Sequence, residues 1–306
     1  MKVLVLGATG FIGKPVAQEF AGQGYDVYGQ TRKDSATAEL QKSEIRPIVG
    51  NPAQVVKEVG VSMDVIIDCL GAHGGSVSTG VFEEVLAAAR TRGPAYKLAF
   101  IFTSGTWTHG EPTIRTEFTS ERAPLGIAPE LVQWRAIFEK RIITSVNEEV
   151  SAGGSCLMPI IIRPAMLYGR KMSIFSDMFE QAFSKEEIVW PGKAGVTRYN
   201  TIHQDDLARL YVLVAERAPV FNCLCLDASN PMTEGVEDIL AALCAAAGEN
   251  KTFRLRESEN IFELAMGTTA KNRPSLGYAL AGWTPRKPGL IDGMPNYYST
   301  WKAYKK

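Results

Sequence analysis

Three glycines near the start of the chain have the spacing of a loop that holds phosphate groups. A short apolar run leads directly into Gly7-Ala8-Thr9-Gly10-Phe11-Ile12-Gly13. Glycine is needed where the chain turns tightly and where the backbone must approach a pyrophosphate without a Cβ in between. The bare N–H groups and the positive end of the following helix favour negative phosphates. We therefore predict that a dinucleotide binds here, through Gly7, Thr9, Gly10, Phe11, Ile12 and Gly13.

The residues after the second predicted strand indicate which dinucleotide is bound. An acidic residue at this place would bind the ribose hydroxyls of NAD. The sequence instead has Gln30-Thr31-Arg32-Lys33, and Asp34 comes one residue later. Arg32 offers a planar, permanently charged group that matches a 2′-phosphate, and Lys33 adds a second positive charge. These two residues favour NADP(H) over NAD(H) as the cofactor.

Strands and helices alternate along the first half of the chain. Apolar strands are predicted over 3–6, 25–31, 45–49, 65–70, 98–103 and 157–163. Helices are predicted over 13–21, 52–59, 81–92 and 129–146. This alternation predicts an α/β fold with a doubly wound parallel Rossmann sheet.

The pattern is looser after Pro164. Helices are predicted over 174–183, 205–216 and 235–247, and a strand over 221–226. Asp205 is expected to cap the second of these helices. The tail, 273–306, is rich in proline, glycine and aromatic residues, and we expect it to wrap the surface.

Four motifs, in order along the chain, resemble the extended short-chain dehydrogenases/reductases of the NAD-dependent epimerase/dehydratase group. They are the glycine loop, Arg163-Pro164-Ala165-Met166-Leu167-Tyr168-Gly169, His203-Gln204-Asp205-Asp206-Leu207-Ala208 and Gly282-Trp283-Thr284-Pro285. The resemblance implies a cofactor-binding Rossmann domain over 1–168, to which 197–226 return, and a smaller substrate-binding region over 169–196 and 227–306. It also implies cofactor contacts after the fourth, fifth and sixth strands, from Gly71, Ala72, Thr103, Arg163 and Pro164.

The chain departs from this resemblance where the family has a Tyr and a Lys four residues apart on one helix. In the family the Lys binds the nicotinamide ribose and lowers the pKa of the Tyr, which exchanges a proton with a substrate oxygen. Alignment on Glu139 places Leu131 at the Tyr position and Arg135 at the Lys position, on one helical face. A second register pairs Ala136 with Lys140. Either way the usual acid is absent, and we expect Arg135 to hold the ribose.

Without this tyrosine, either another residue donates the proton or the protein needs no proton donor of its own. Ser104, Thr106, His109 and Tyr168 lie on loops expected to follow sheet strands, where ligands bind in open α/β folds. Ser104 resembles the Ser or Thr that orients a substrate oxygen, and histidine, here His109, is the residue type whose intrinsic pKa best suits proton transfer. Alternatively, the product of C=C or iminium reduction takes its proton from water. The third possibility is that the protein binds NADP(H) without turning it over.

The cofactor-binding motifs are complete, whereas the helix that should carry the catalytic Tyr and Lys is altered. Together these features predict an NADP(H)-dependent oxidoreductase. It would transfer a hydride to or from a small, largely apolar substrate, with Ser104, Arg135, His109 and Tyr168 as candidate catalytic residues. An isomerase, a cyclase or an NADP(H)-binding regulatory protein on the same fold is the alternative. Aromatic and methionine side chains could line the apolar pocket, with Trp107, Phe175, Met178 and Phe179 as candidates.

The composition argues against several other classes of protein. Lys+Arg and Asp+Glu both number 33 among 306 residues, so no global basic field favours nucleic acid. Five scattered cysteines fit a reducing compartment, and no stretch approaches the roughly 18 apolar residues of a membrane span. We expect a cytoplasmic monomer or homodimer with no metal, whose partner is a small-molecule substrate.

Overall fold

The first strand is apolar at every position except its first residue because both of its faces are covered. Val3 and Val5 pack into one buried cluster, and Leu4 and Leu6 pack into another on the opposite face of the sheet. Such continuous apolar strands are typical of parallel sheets with helices on both sides. The computed structural model describes residues 1–71, 75–111, 118–150, 156–269 and 271–305.

The described residues form the following strands. They are β1 Lys2–Leu6, β2 Asp26–Thr31, β3 Arg46–Val49, β4 Val65–Asp68, β5 Leu98–Thr103, β6 Leu157–Pro164, β7 Met166–Tyr168, β8 Glu187–Pro191, β9 Arg198–His203, β10 Cys225–Ala228, β11 Thr233–Gly235 and β12 Thr252–Arg256.

The described residues also form α-helices. They are α1 Gly13–Gly22, α2 Thr37–Gln41, α3 Pro52–Val59, α4 Ser76–Arg92, α5 Gln133–Val150, α6 Ser176–Ser184, α7 Gln204–Glu216, α8 Ala218–Phe221, α9 Val236–Ala247, α10 Ile261–Met266, α11 Leu276–Ala281 and α12 Met294–Lys305. Short 3-10 turns over Thr106–His109 and Glu130–Val132 matter for the site.

Seven of these strands form the central sheet, in the order β10-β6-β5-β4-β1-β2-β3. Every neighbouring pair is parallel. The chain order reverses beside β1, so the carboxyl ends of β1 and β4 open a crevice there, which is where open α/β sheets bind ligands. The predicted α/β fold class is confirmed.

A third buried cluster lies among the later elements, apart from the two faces of the sheet. It joins α6, α9 and α12 with two small sheets, β11-β9-β7 and β12-β8. Phe175, Met178 and Phe179, which were candidates for lining a pocket, are fully buried in this cluster. Segment 197–226 contributes to both parts of the protein. Its strand β9 belongs to a small sheet, and its helix α7 packs into the first cluster, on the central sheet. The division into two domains therefore stays a prediction.

The prediction that the tail wraps the surface is wrong. Residues 276–281 form α11 and residues 294–305 form α12, and four side chains of α12 are buried in the third cluster. Those four are Met294, Tyr297, Tyr298 and Trp301. Their spacing of three, four and seven residues gives α12 an apolar stripe, and that stripe must be covered.

Two local predictions after Pro164 are also corrected. Residues 218–221 form a helix with a proline in its first turn, and the strand begins only at Cys225. Proline fits the first turn of a helix because it has no N–H to leave unpaired. The cap of α7 is His203, whose Nδ1 accepts the amide N–H of Asp205 at 3.1 Å. Asp205 instead forms ion pairs with Arg170 and Lys287.

The buried position of His203 predicts a pH dependence of stability. Burial lowers the pKa of His203 from 6.5 to about 4. As the pH falls from 7.5 to 5, the unfolded chain takes up a proton at this residue and the folded chain does not. We therefore expect the free energy of unfolding to drop by about 1–2 kcal/mol over this range from His203 alone.

The matched variant is His203→Asn, which keeps a capping oxygen and removes the titrating ring. Urea denaturation at pH 7.5 and at pH 5 measures the change for both proteins. The variant is expected to lose less stability between the two pH values than the wild type. Equal losses in the two proteins would contradict a neutral, buried His203.

Among the described residues, no helix combines the length and the apolar character that crossing a bilayer requires.

Candidate functional site

The loop between β1 and α1 is closed so tightly that side chains are excluded from it. Gly7 has a φ of +73°, and Gly10 donates its N–H to the carbonyl oxygen of Gly7 at 2.9 Å. A Cβ built on Gly13 would lie 2.2 Å from that same oxygen. Any other residue at position 13 would therefore push the helix away from the loop.

Four amides of this loop are free to bind an anion. Within the described residues, the N–H groups of Thr9, Phe11, Ile12 and Gly13 have no hydrogen-bond acceptor. They stand at the positive end of α1, where a phosphate is favoured. Gln30 fixes the start of the loop, since its Oε1 accepts the Gly7 N–H at 2.9 Å and its Nε2 donates to the carbonyl of Gly50 at 2.7 Å. This geometry fits the diphosphate of a dinucleotide.

Arg32 and Lys33 directly follow β2, at the same edge of the sheet. Both side chains are exposed, and neither forms an ion pair with any residue of the described part of the chain. Exposed cations without an acidic partner are available to a phosphate group. Their placement suits the 2′-phosphate of NADP(H), and no described acidic side chain competes for it.

A mostly apolar pocket of about 300 Å³ lies at the carboxyl ends of β5 and β6. It reaches the cofactor loop, because Ile12 is one of its walls. Its lining residues are Ile12, Gly71, Ser104, Gly105, Thr106, Trp107, Leu131, Val132, Trp134, Arg135, Pro164, Ala165, Met166, Leu167, Ile174 and Phe262. The pocket therefore holds Gly71, Ser104, Arg135, Pro164 and Ile12 from the sequence predictions together.

Ser104 brings to this pocket a buried hydroxyl that has no partner among the described residues. The residue is buried, and its Oγ forms no hydrogen bond with any described residue. Its backbone N–H donates to the carbonyl oxygen of Ile162 at 2.8 Å, which fixes the residue between β5 and β6. An unpaired buried hydroxyl is costly unless a ligand completes it. Ser104 can thus donate a hydrogen bond to a substrate oxygen.

Arg135 is held by three neighbours at the edge of the same pocket. Its Nη1 donates to the carbonyl oxygen of Thr103 at 3.0 Å, and its guanidinium lies 4.9 Å from the centre of the Trp134 ring. Asp68, at the end of β4, attracts it electrostatically. Burial raises the pKa of Asp68, while the amide of Leu70 and the charge of Arg135 act in the opposite direction.

Leu131 and Arg135 both line the pocket, as their spacing of four residues predicts. Leu131 lies in the 3-10 turn that leads into α5. It gives this wall an apolar surface where the resembling family has a phenol. No proton can be donated from this position.

Two predicted cofactor contacts have their side chains engaged elsewhere. Thr103 Oγ1 lies 2.6 Å from the Tyr211 hydroxyl, inside the core. Arg163 forms a buried ion pair with Glu139 of α5, with Nη2 2.5 Å from Oε2. Arg163 Nη1 has no partner among the described residues, so this ion pair does not use every donor of the guanidinium. Ala72, the remaining predicted contact, lies outside the described residues.

The catalytic candidates His109 and Tyr168 do not line the pocket, and a catalytic role for either one stays a prediction. His109 is buried, and its Nε2 lies 2.9 Å from Asp227, which also accepts a hydrogen bond from Asn272. The Tyr168 hydroxyl donates to the carbonyl oxygen of Pro288 at 2.7 Å and accepts from Asn230. Burial also raises the pKa of Tyr168, which makes it a poor acid. These contacts give both residues a structural role.

Several walls of the pocket were not predicted. Phe262 comes from α10, far along the chain, and meets the predicted Trp107 edge to face at 6.3 Å. Ile174 and Met166 come from the later elements as well. No local pattern marks such residues, because only the folded chain brings them to β5 and β6. Trp134 could have been found, since it immediately precedes Arg135.

Comparison with known proteins identifies relatives for most of the chain. The model of the NAD dependent epimerase/dehydratase family matches residues 3–223. A curated relative is 22% identical over 232 residues, which make up 72% of this chain and 66%, just under two thirds, of the relative. That protein is the 4-hydroxy-2-methyl-3-oxo-4-farnesyl-3,4-dihydroquinoline-1-oxide ketoreductase of Stigmatella aurantiaca.

Solved structures of similar fold include two epimerases. The UDP-glucuronic acid 4-epimerase of Bacillus cereus, in complex with UDP-glucuronic acid and NAD, has a TM-score of 0.77 and 19% identity, and the match covers 99% of this chain and 100% of that one. The UDP-glucose-4-epimerase of Stenotrophomonas maltophila, with bound NAD and formylated UDP-arabinopyranose, has a TM-score of 0.78 and 17% identity, with coverage of 100% and 98%. At such identities the likeness shows a shared fold.

Proposed function

Because this chain belongs to the NAD-dependent epimerase/dehydratase family, we propose that it is an oxidoreductase that uses NADP(H) to interconvert a small, largely apolar carbonyl compound and its alcohol. The observation that carries the proposal is the unpaired hydroxyl of Ser104 in an apolar pocket whose wall Ile12 belongs to the cofactor loop. The name of the curated relative, a ketoreductase, supports the same class of reaction.

The chain's residues divide the work as follows. The amides of Phe11, Ile12 and Gly13 would hold the diphosphate, and Arg135 would hold the nicotinamide ribose. The bound cofactor supplies or accepts the hydride. Ser104 would hold the substrate oxygen, so that negative charge developing there during reduction meets a fixed donor. The oxygen takes its proton from water through this hydroxyl, because the described residues that line the pocket include no tyrosine, histidine or carboxylate.

A non-redox role of the same pocket is the second candidate, and Leu131 is the observation that favours it. An apolar side chain at this position removes the acid on which the resembling family relies. An isomerase, a cyclase or a regulatory protein would bind NADP(H) without consuming it. The absorbance of NADPH during incubation with carbonyl compounds separates the two candidates.

Cofactor binding is the first test of the proposal. NADPH at a hundredfold excess over its Kd stabilises the folded chain by about 2.7 kcal/mol. We expect this to raise the midpoint of thermal unfolding by about 5 °C. The variant Gly10→Val adds a side chain to the exposed part of the loop. It should abolish the rise in the unfolding midpoint that NADPH causes.

Gly22→Val is the matched control. A Cβ on Gly22, at the end of α1, meets no atom within 4 Å, so the same substitution leaves the loop intact. This variant should keep the full shift with NADPH. The proposal fails if the wild type shows no shift with NADPH or with NADH.

A further inference from the structure

The short helix α10 roofs the pocket on one side and faces solvent on the other. It begins after Asn260, whose side-chain oxygen accepts the N–H of Glu263 at 3.0 Å. Phe262 points into the pocket and packs edge to face on Trp107. Ile261 and Leu264, on the same helix, do not line the pocket. The helix therefore presents apolar side chains in two directions.

A second cavity, of about 360 Å³, lies on the outer side of α10. Its apolar walls include Ile127, Ala128, Pro129, Ile261 and Leu264. We call it the outer groove. It adjoins the pocket through the 3-10 turn Glu130–Val132, on which α10 packs. Leu131 and Val132 of this turn line the pocket, whereas Glu130 lines the outer groove.

The aliphatic side chains of the outer groove are unusually open to solvent. Ile127 is 88% exposed, Leu264 62% and Ile261 53%. Single exposed aliphatic residues are common on protein surfaces, but a cluster of them beside a ligand pocket indicates a surface that a ligand covers.

The charges around the outer groove restrict what that ligand is. Among the described residues, its ionisable lining residues are Glu111 and Glu130, and neither lysine nor arginine lines it. Two carboxylates disfavour an anionic lipid surface, a fatty-acid carboxylate or a nucleotide. A neutral hydrocarbon meets no such repulsion. It also gains from covering the three aliphatic side chains.

We propose that the outer groove binds a neutral alkyl or isoprenoid tail of the substrate, which leaves the pocket past Phe262 while the carbonyl head is held at Ser104. The identity of the head rests on the proposed function, and the tail site rests on the two adjoining cavities. The substrate class is accordingly a ketone, or its alcohol, that carries a hydrocarbon chain. Phe262 then determines the direction in which the chain leaves the pocket.

The test is calorimetric binding of phenyl methyl, phenyl butyl and phenyl heptyl ketone to the NADP⁺-loaded protein. Binding is measured without turnover, so the result does not depend on redox activity. For the methylenes that reach the groove, the affinity should rise about twofold to fourfold each. The phenyl methyl ketone, which ends inside the pocket, sets the reference affinity.

The variant is the double substitution Ile261→Glu with Leu264→Glu, both at largely exposed positions of α10. It should bind phenyl methyl ketone as the wild type does, and the gain with chain length should disappear. Val220→Glu, a similar substitution at a 53% exposed residue of α8, should keep the full gain.

Two outcomes overturn the tail site. One is an affinity in the wild type that does not depend on chain length, and the other is a dependence that the double variant retains. A dimer in light scattering that the double variant dissociates, with chain-length dependence unaltered, would assign the groove to a second copy. Ketone binding with the expected dependence but no oxidation of NADPH would instead reject the proposed function and leave the tail site intact.

Discussion

Replacing Ser104 with alanine is expected to lower kcat for carbonyl reduction by about 10²–10³-fold, the usual effect of removing one donor to a developing oxyanion. The fold should be unharmed. The Oγ of Ser104 is buried without a partner, and removing an unpaired polar group from a buried position is nearly neutral or stabilising. Stability and activity should therefore respond in different ways to this one change.

The chain offers a matched control for this substitution. Ser229, just beyond β10, is fully buried, and its Oγ also lacks a partner among the described residues. It does not line the pocket. Ser229→Ala makes the same chemical change in the same kind of environment and should leave kcat unaltered. Steady-state rates with the phenyl ketone that the wild type turns over fastest, and NADPH binding by calorimetry, check both variants.

Two results would contradict this role of Ser104. Full kcat in Ser104→Ala would move the oxygen-binding role to another group. Among the described residues that line the pocket, Thr106 carries the other hydroxyl. A loss of NADPH affinity as large as the loss of kcat would mean that Ser104 contacts the cofactor and not the substrate. If Ser104 acts as proposed, Leu131 is simply an apolar wall of the pocket, and carbonyl reduction does not need a tyrosine at this position.

The cofactor loop could be predicted from sequence because every contact that shapes it is local. Gly7, Gly10 and Gly13 constrain one another within seven residues, and strand and helix patterns flank them. The same holds for the pair Leu131 and Arg135, since four residues of helix fix which face both occupy. Such features depend on short stretches of backbone, and little of the remaining fold changes them.

The direction of a side chain on a loop could not be predicted in this way. His109 and Tyr168 do lie near the carboxyl ends of strands, as the pattern indicated. His109 pairs with Asp227 of β10 inside the protein, and the Tyr168 hydroxyl donates to the carbonyl oxygen of Pro288, near the end of the chain. Each partner is more than 100 residues away in sequence, so its presence is decided only by packing.

The tail is a different kind of error, because its signal was present in the sequence. Tyr297, Tyr298 and Trp301 follow Met294 at helical spacing. Proline and glycine before them favour an irregular segment, whereas the apolar residues beyond recur at helical spacing. This periodicity, and not the composition of the segment, indicates α12.

Arg32→Ala should weaken NADPH binding by about 10–100-fold, because hydrogen bonds to a charged group contribute about 1.5–3 kcal/mol. The Kd for NADH, which has no 2′-phosphate, should barely change. Lys33→Ala is expected to have a smaller effect, since an ammonium is a point charge and lacks the paired donors of a guanidinium. Arg32→Lys should fall between the wild type and Arg32→Ala for the same reason.

Ionic strength provides an independent check on Arg32. Both cations are exposed, so salt screens their attraction for a phosphate, with a Debye length of about 10 Å at 0.1 M and about 3 Å at 1 M. The preference of the wild type for NADPH over NADH should therefore narrow as salt is added, and in Arg32→Ala it should start low and change little. Calorimetric titrations with both dinucleotides at low and high salt measure the four values. An unchanged preference for NADPH when Arg32→Ala and Lys33→Ala are combined would mean that other residues bind the 2′-phosphate. A wild type that binds NADH as tightly as NADPH would instead contradict the assignment of NADP(H).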